Sequence, residues 1–259
     1  MEGSLKEHEM SWDPELGDEP PPAIRDRAPD ILTPIDPDAP ISGHHVPSEK
    51  APGPSQAPEH DWLAAEPILL PVLLPVGTSG ISLDSLDPAR VASEGMKSHA
   101  QPVLDEGPSG LGVGYVLRAG AFDVHVNAEH LLAWGATPDE LRTTAMANLA
   151  RWSESAEWTE EVSGTRRLLS SASGTGDDAA RVLLPAVLQH LAATLGPEGR
   201  VLVGLPDKDL LVAAPLKADD EEFGALFADF VRGHAEGSDQ PLDGRVHELQ
   251  GGVLRPFEG

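Results

Sequence analysis

Cysteine is absent from the 259-residue chain. Without it neither a disulfide framework nor a thiolate-ligated zinc site can be built, and cysteine pairing says nothing of compartment. Basic residues are scarce as well: 18 Lys and Arg stand against 43 Asp and Glu, a formal net charge of −25. Such a charge repels phosphate backbones, which excludes sequence-independent binding to nucleic acid or to an anionic membrane. Aromatic residues make up only 4%. Long apolar runs are lacking too. The longest uncharged stretch, Pro67 to Leu83, has 17 residues interrupted by three prolines and two glycines, whereas a membrane helix needs about 20 apolar residues. The start, Met1-Glu2-Gly3-Ser4-Leu5-Lys6-Glu7, has neither the basic opening nor the apolar core of a signal peptide. The expectation is a soluble, cytoplasmic protein with no membrane and no nucleic-acid partner.

Proline is plentiful and unevenly placed. Residues 1–61 hold 12 of the 25 prolines, with 14 acids against four bases, a net of −10. Proline removes a backbone donor and drives the preceding residue out of the helical region, so neither helix nor ladder propagates through such a segment. Its apolar residues, such as Ile24, Ile31 and Ile41, are isolated, too few to offset the entropy of ordering. Residues 1–61 are therefore expected to be a disordered, acidic, Pro-rich tail. The plain role for it is a solubilising extension; the functional one is a docking arm for a basic protein partner.

Residues 62–259 read as one folded domain. Ile68 to Val76 suits a buried or edge strand crossed by Pro71 and Pro75. Thr78 to Gly110 lacks periodicity and reads as a long loop with a short helix near Pro88–Ser93. Gly112–Leu117 and Ala121–Val126 form a hairpin, because Phe122, Val124 and Val126 alternate with Asp123 and His125. Asn127 caps a helix over Ala128–Trp134, and Gly135 ends it. Thr137-Pro138-Asp139-Glu140 is a capping box, after which Leu141, Ala145, Leu149 and Trp152 recur at helical spacing. Two more hairpins are expected, Trp158–Val162 with Arg166–Ser171 turning at Ser163-Gly164, and Val201–Leu205 with Leu210–Ala214. Between them one helix is expected over Asp177–Leu195. A further helix spans Asp219–His234 with acids at its start, and Arg245–Leu249 with Val253–Phe257 closes the chain through Gly251-Gly252. Antiparallel hairpins alternating with helices place the domain in the α+β class.

Several segments follow one another in a recognisable order. They are Leu70-Pro71-Val72-Leu73, Thr137-Pro138-Asp139-Glu140-Leu141-Arg142, Ala145-Met146-Ala147-Asn148-Leu149, Gly174-Thr175-Gly176-Asp177-Asp178-Ala179-Ala180-Arg181 and Pro206-Asp207-Lys208-Asp209-Leu210-Leu211. In this order the chain resembles the bacterial YtpQ-like family, an uncharacterised domain of unknown function, over roughly Glu66 to Phe257. Where that family carries an arginine after its first segment, this chain has Leu73 and Leu74. The resemblance implies a fold and no reaction, and it raises the standing of Asn148, Arg181 and Asp209.

Four constellations could carry chemistry. Gly174-Thr175-Gly176-Asp177-Asp178 opens a helix and could cradle an anion, but two carboxylates in the first turn oppose phosphate and suit capping. Asp177 and Arg181, four residues apart on that helix, would pair on its surface. Gly110-Leu111-Gly112-Val113-Gly114 lacks the third glycine of a dinucleotide fingerprint and precedes a strand, which excludes a Rossmann site. His125, Glu129 and His130 could meet a zinc ion; His125 lies on the polar phase of its strand, which favours an exposed, unliganded ring, and no metal or cofactor is expected. Asp207-Lys208-Asp209 reads as a hairpin turn closed by its own aspartates. The candidate binding cluster is Asn148, Asp178, Arg181 and Asp209, with a structural polar network as its plain alternative. No phosphate loop or nucleophile elbow occurs. The expected function is a non-enzymatic interaction or regulatory module; the alternative is a hydrolase or small-molecule-binding enzyme using the carboxylate and arginine cluster.

Overall fold

Helix starts follow their capping residues. In the computed structural model, which describes residues 57–87, 93, 101–119 and 122–258, Asp61 accepts from the Leu63 amide at 3.0 Å and opens helix α1 (Trp62–Ala65). Asn127 accepts from the amides of Glu129 and His130 and opens α2 (Ala128–Trp134), which Gly135 ends in the left-handed conformation. His130 completes that cap: its Nδ1 accepts from the Asn127 amide at 3.1 Å. The Thr137–Glu140 capping box forms as expected and opens α3 (Pro138–Ser155).

Five short strands make a first sheet. They are β1 (Leu69–Leu74), β2 (Ile81–Ser82), β3 (Val103–Glu106), β4 (Gly112–Ala119) and β5 (Phe122–His125). All pairings are antiparallel except β2 with β3, and β4 runs between β1 on one side and β3 and β5 on the other. Because β1 is an edge strand, Pro71 costs it no ladder bond. Gly114 is what lets β1 close on β4: a Cβ there would stand 2.7 Å from Leu74 Cδ1. The glycines of Gly110–Gly114 thus serve packing. The structure differs from the sequence expectation over Thr78–Gly110, which holds β2, β3 and two short 3₁₀ turns, Leu83–Ser85 and Pro108–Gly110. The helix expected at Pro88–Ser93 lies outside the described residues, apart from Ser93.

The second sheet has six strands, β6 (Thr159–Ser163), β7 (Arg166–Ser171), β8 (Arg200–Asp207), β9 (Leu210–Leu216), β10 (Pro241–Gln250) and β11 (Val253–Pro256). Their spatial order is β11-β10-β8-β9-β7-β6, antiparallel throughout. The closing hairpin turns on Gly251 and Gly252, both at positive φ, which the two-residue hairpin turn requires. The β6–β7 turn is Gly164-Thr165, one residue later than expected, with Ser163 paired to Arg166. Leu202, Val212, Ala214 and Leu216 face helix α5 (Glu221–Gly237) with Phe227 and Val231. Val201, Val203, Leu205, Leu211 and Ala213 face the other way, into the main core with β1, β4 and Leu149 of α3. The six-stranded sheet is therefore buried on both faces, which is why β8 and β9 read as unbroken apolar runs. The α+β class with largely antiparallel sheet is what the chain forms.

Two expectations need correction. The helix expected over Asp177–Leu195 is two pieces, a 3₁₀ turn at Ala179–Leu183 and α4 (Pro185–Leu195). Pro185 is the cause, because it forces Leu184 into an extended conformation with φ −90° and ψ 117°. The other concerns residues 57–61, expected in the tail: Asp61 donates its amide to Ala57 O at 3.1 Å, and Trp134 Nε1 donates to Pro58 O at 2.7 Å, so these five residues are ordered against the domain. The rest of the expected tail lies outside the described residues.

The edge of the first sheet is tied to α3 through Asp105 on β3. Its carboxylate accepts from Tyr115 Oη at 2.6 Å and from Arg142 Nε and Nη2 at 2.8 and 2.6 Å. Burial alone would raise the acid, but the hydrogen bonds from Arg142 and Tyr115 outweigh it and hold Asp105 below the ordinary range. A depressed carboxyl contributes stability that is present above its unfolded value and is lost as pH falls through the folded one. The urea midpoint of the native chain should therefore exceed that of Asp105→Asn at neutral pH. The gap should close progressively below about pH 4; a pH-independent gap would contradict this assignment.

Candidate functional site

The four residues singled out by the sequence do not share a cleft. Asn148, on α3, donates through Nδ2 to the carbonyls of Glu66 and Leu69 at 2.7 and 2.8 Å, and its Oδ1 accepts from Arg151 at 3.1 Å. It closes the backbone at the start of β1. Asp178 and Arg181 do meet, through Ser171 on β7. Asp178 accepts from Ser171 Oγ and from the Ser173 amide at 2.9 Å. Arg181 donates to the same Ser171 hydroxyl and to Ser153 Oγ at 3.0 Å, with its guanidinium 4.2 Å over the Trp158 ring. Burial pushes the Arg181 guanidinium down, and the charge of Asp178 only partly restores it. Asp178 is fully buried and Arg181 2% exposed, and their polar atoms are spent on one another's neighbours, so the network holds the fold together. Asp209 sits in the two-residue turn of the β8–β9 hairpin, its amide bonded to Asp207 Oδ1 at 2.8 Å, as turn chemistry requires.

The surface pair expected between Asp177 and Arg181 does not form either, since the chain is not α-helical there. Asp177 turns the opposite way, to Arg118 at the end of β4, whose Nη1 donates to Asp177 Oδ2. Arg118 also faces Asp123 across the β4–β5 ladder, Nε to Oδ1 at 3.2 Å. The zinc reading of His125, Glu129 and His130 has no geometry behind it: His130 is spent on its cap. Among the described residues no group of three or more histidines and carboxylates is placed to hold a metal ion.

Arg118, Asp123, His125, Asp177 and Lys208 line a cleft of about 900 Å³ that contains none of the four expected residues. Its apolar wall comes from Leu70, Val72 and Leu74 of β1, Val116 of β4 and Leu242 of β10. Its polar end gathers around Gly176. A Cβ on that residue would lie 3.2 Å from Lys208 Nζ and 3.5 Å from Arg118 Nη2, and its φ of +86° suits glycine alone. Lys208 Nζ has no hydrogen-bond or ion-pair partner among the described residues. Asp177 has one buried oxygen, Oδ1, without a partner. Burial raises the Asp177 acid, the Arg118 guanidinium opposes that, and the nearby Asp123 and Asp178 charges add to it. Arg118 is held protonated, because the Asp177 and Asp123 carboxylates outweigh its own burial. Chemically the cleft offers an apolar trough ending in an ammonium group that bonds to no carboxylate among the described residues.

Sequence reasoning left Arg118 in the link between two extended runs and weighed Lys208 only as part of the Asp207-Lys208-Asp209 turn. For Arg118 a signal existed, since a hairpin turning near Gly120 sets Arg118 opposite Asp123. For Lys208 none did: the cleft is made by residues from both sheets, distant in sequence. No protein-family model, curated protein or solved structure matches the chain.

Proposed function

We propose that the folded unit is a non-enzymatic binding module whose cleft receives a small ligand carrying an apolar body and a carboxylate. The observation that carries this reading is the Lys208 ammonium, unpartnered among the described residues and set beside Arg118 at the polar end of an apolar-walled cleft. A volume of about 900 Å³ suits a small molecule. Titration with isocaproate, a branched carboxylate, against its uncharged amide tests it. Isocaproate should bind, the amide should not, and Lys208→Gln should weaken isocaproate about tenfold. Equal binding of acid and amide would overturn the reading.

Kinship with the YtpQ-like family belongs to the same proposal and rests on the order of the five short segments. An acid–base hydrolase is the second reading. What supports it is Asp177, an acid raised by burial and seated in a cleft wall; it replaces the cluster of Asn148, Asp178, Arg181 and Asp209 as the machinery such an enzyme would use. The net −10 of residues 1–61 supports a separate role in docking a basic protein. Pull-down with and without those residues should differ in its basic prey; identical prey would exclude the tail.

A further inference from the structure

Among the described residues lining the cleft, Asp177 Oδ1 is the only buried side-chain oxygen or nitrogen without a hydrogen-bond partner. Leaving such an acceptor unsatisfied is costly, and native structures rarely leave one without a reason. The neighbours do not supply the missing donor. Arg118 reaches Oδ2 of Asp177 and otherwise turns to Asp123, and Lys208 bonds to neither carboxylate. A ligand entering the cleft can supply that donor.

The charges narrow the ligand further. Arg118 and Lys208 face Asp123 and Asp177, two cations and two carboxylates, so the polar end is balanced as it stands. A ligand of one charge leaves an excess in a site walled by leucine and valine, which is costly; a ligand bearing both signs does not. The two anchors are also neighbours: Lys208 Nζ lies against Gly176, and Asp177 follows Gly176 in the chain. Opposite charges at one end of the cleft suit an ammonium and a carboxylate carried by one ligand.

We infer that the ligand is an α-amino acid with an apolar side chain, a conclusion that rests on the carboxylate-binding reading above and names its substrate class. Its ammonium donates to Asp177 Oδ1, its carboxylate meets Lys208, and its side chain lies along Leu70, Val116 and Leu242. Three probes separate these contacts: L-leucine, isocaproate, which lacks the amine, and leucinamide, which lacks the carboxylate. Each is titrated by NMR into the full chain. Leucine should bind about tenfold more tightly than either of the others. Asp177→Asn should abolish the advantage of leucine over isocaproate, and Lys208→Gln should weaken both. Equal affinity of leucine and isocaproate for the native chain would overturn this inference alone and leave the carboxylate reading standing. Failure of all three to bind would overturn both.

Discussion

Arg181→Met should lower the unfolding free energy by about 3–5 kcal/mol, the cost of breaking a buried charge network by removing one partner. The guanidinium joins three pieces of the fold: Ser153 at the end of α3, Ser171 on β7, and the Trp158 ring before β6. Methionine keeps much of the volume but none of the donors. It leaves Asp178 fully buried with hydroxyl and amide partners and no cation near it. Urea unfolding followed by circular dichroism measures the loss. The double variant Asp178→Asn with Arg181→Met should regain a large part of it, because the remaining charge is then removed. An unchanged urea midpoint together with lost ligand binding would instead make Arg181 a binding residue, contrary to this account.

Asn148→Ala comes next, with an expected loss of about 2–4 kcal/mol. Two carbonyls, those of Glu66 and Leu69, each lose their Asn148 donor, and an unsatisfied buried acceptor costs about 1–3 kcal/mol. Both lie at the entry to β1, so the loss falls on the seam between α3 and the first sheet. Hydrogen exchange should accelerate for the Leu69–Leu74 amides ahead of those in β8 and β9. Uniform acceleration across both sheets would show that Asn148 does not act locally.

These two residues also show where the sequence was legible. Capping boxes, the paired glycines of the last hairpin and the apolar stripe of α3 are encoded within a few positions, and the chain forms them where those positions stand. Pro185 was equally visible, yet the helical spacing of Val182, Leu183 and Val187 ran through it, and the extended Leu184 had the final word. Strand β3 could not be read, because Val103-Leu104-Asp105-Glu106 has no alternation and becomes a strand through its pairing with β2 and β4. The site failed for a related reason. Asn148, Asp178 and Arg181 are polar residues in apolar surroundings, and a sequence cannot distinguish a polar side chain that closes a backbone from one that waits for a ligand. Arg118, Asp177 and Lys208 meet only because a strand end, a glycine loop and a hairpin turn converge on Gly176.

The central claim, that this cleft is the binding site, is tested most directly by methyl NMR of the selectively labelled chain with isocaproate. The account predicts shifts at Leu70, Val72, Leu74 and Leu242, lost in Lys208→Gln. Shifts confined to Val162, Leu168 and Leu226, in the groove between the β6–β7 hairpin and α5, or no shifts at all, would contradict it.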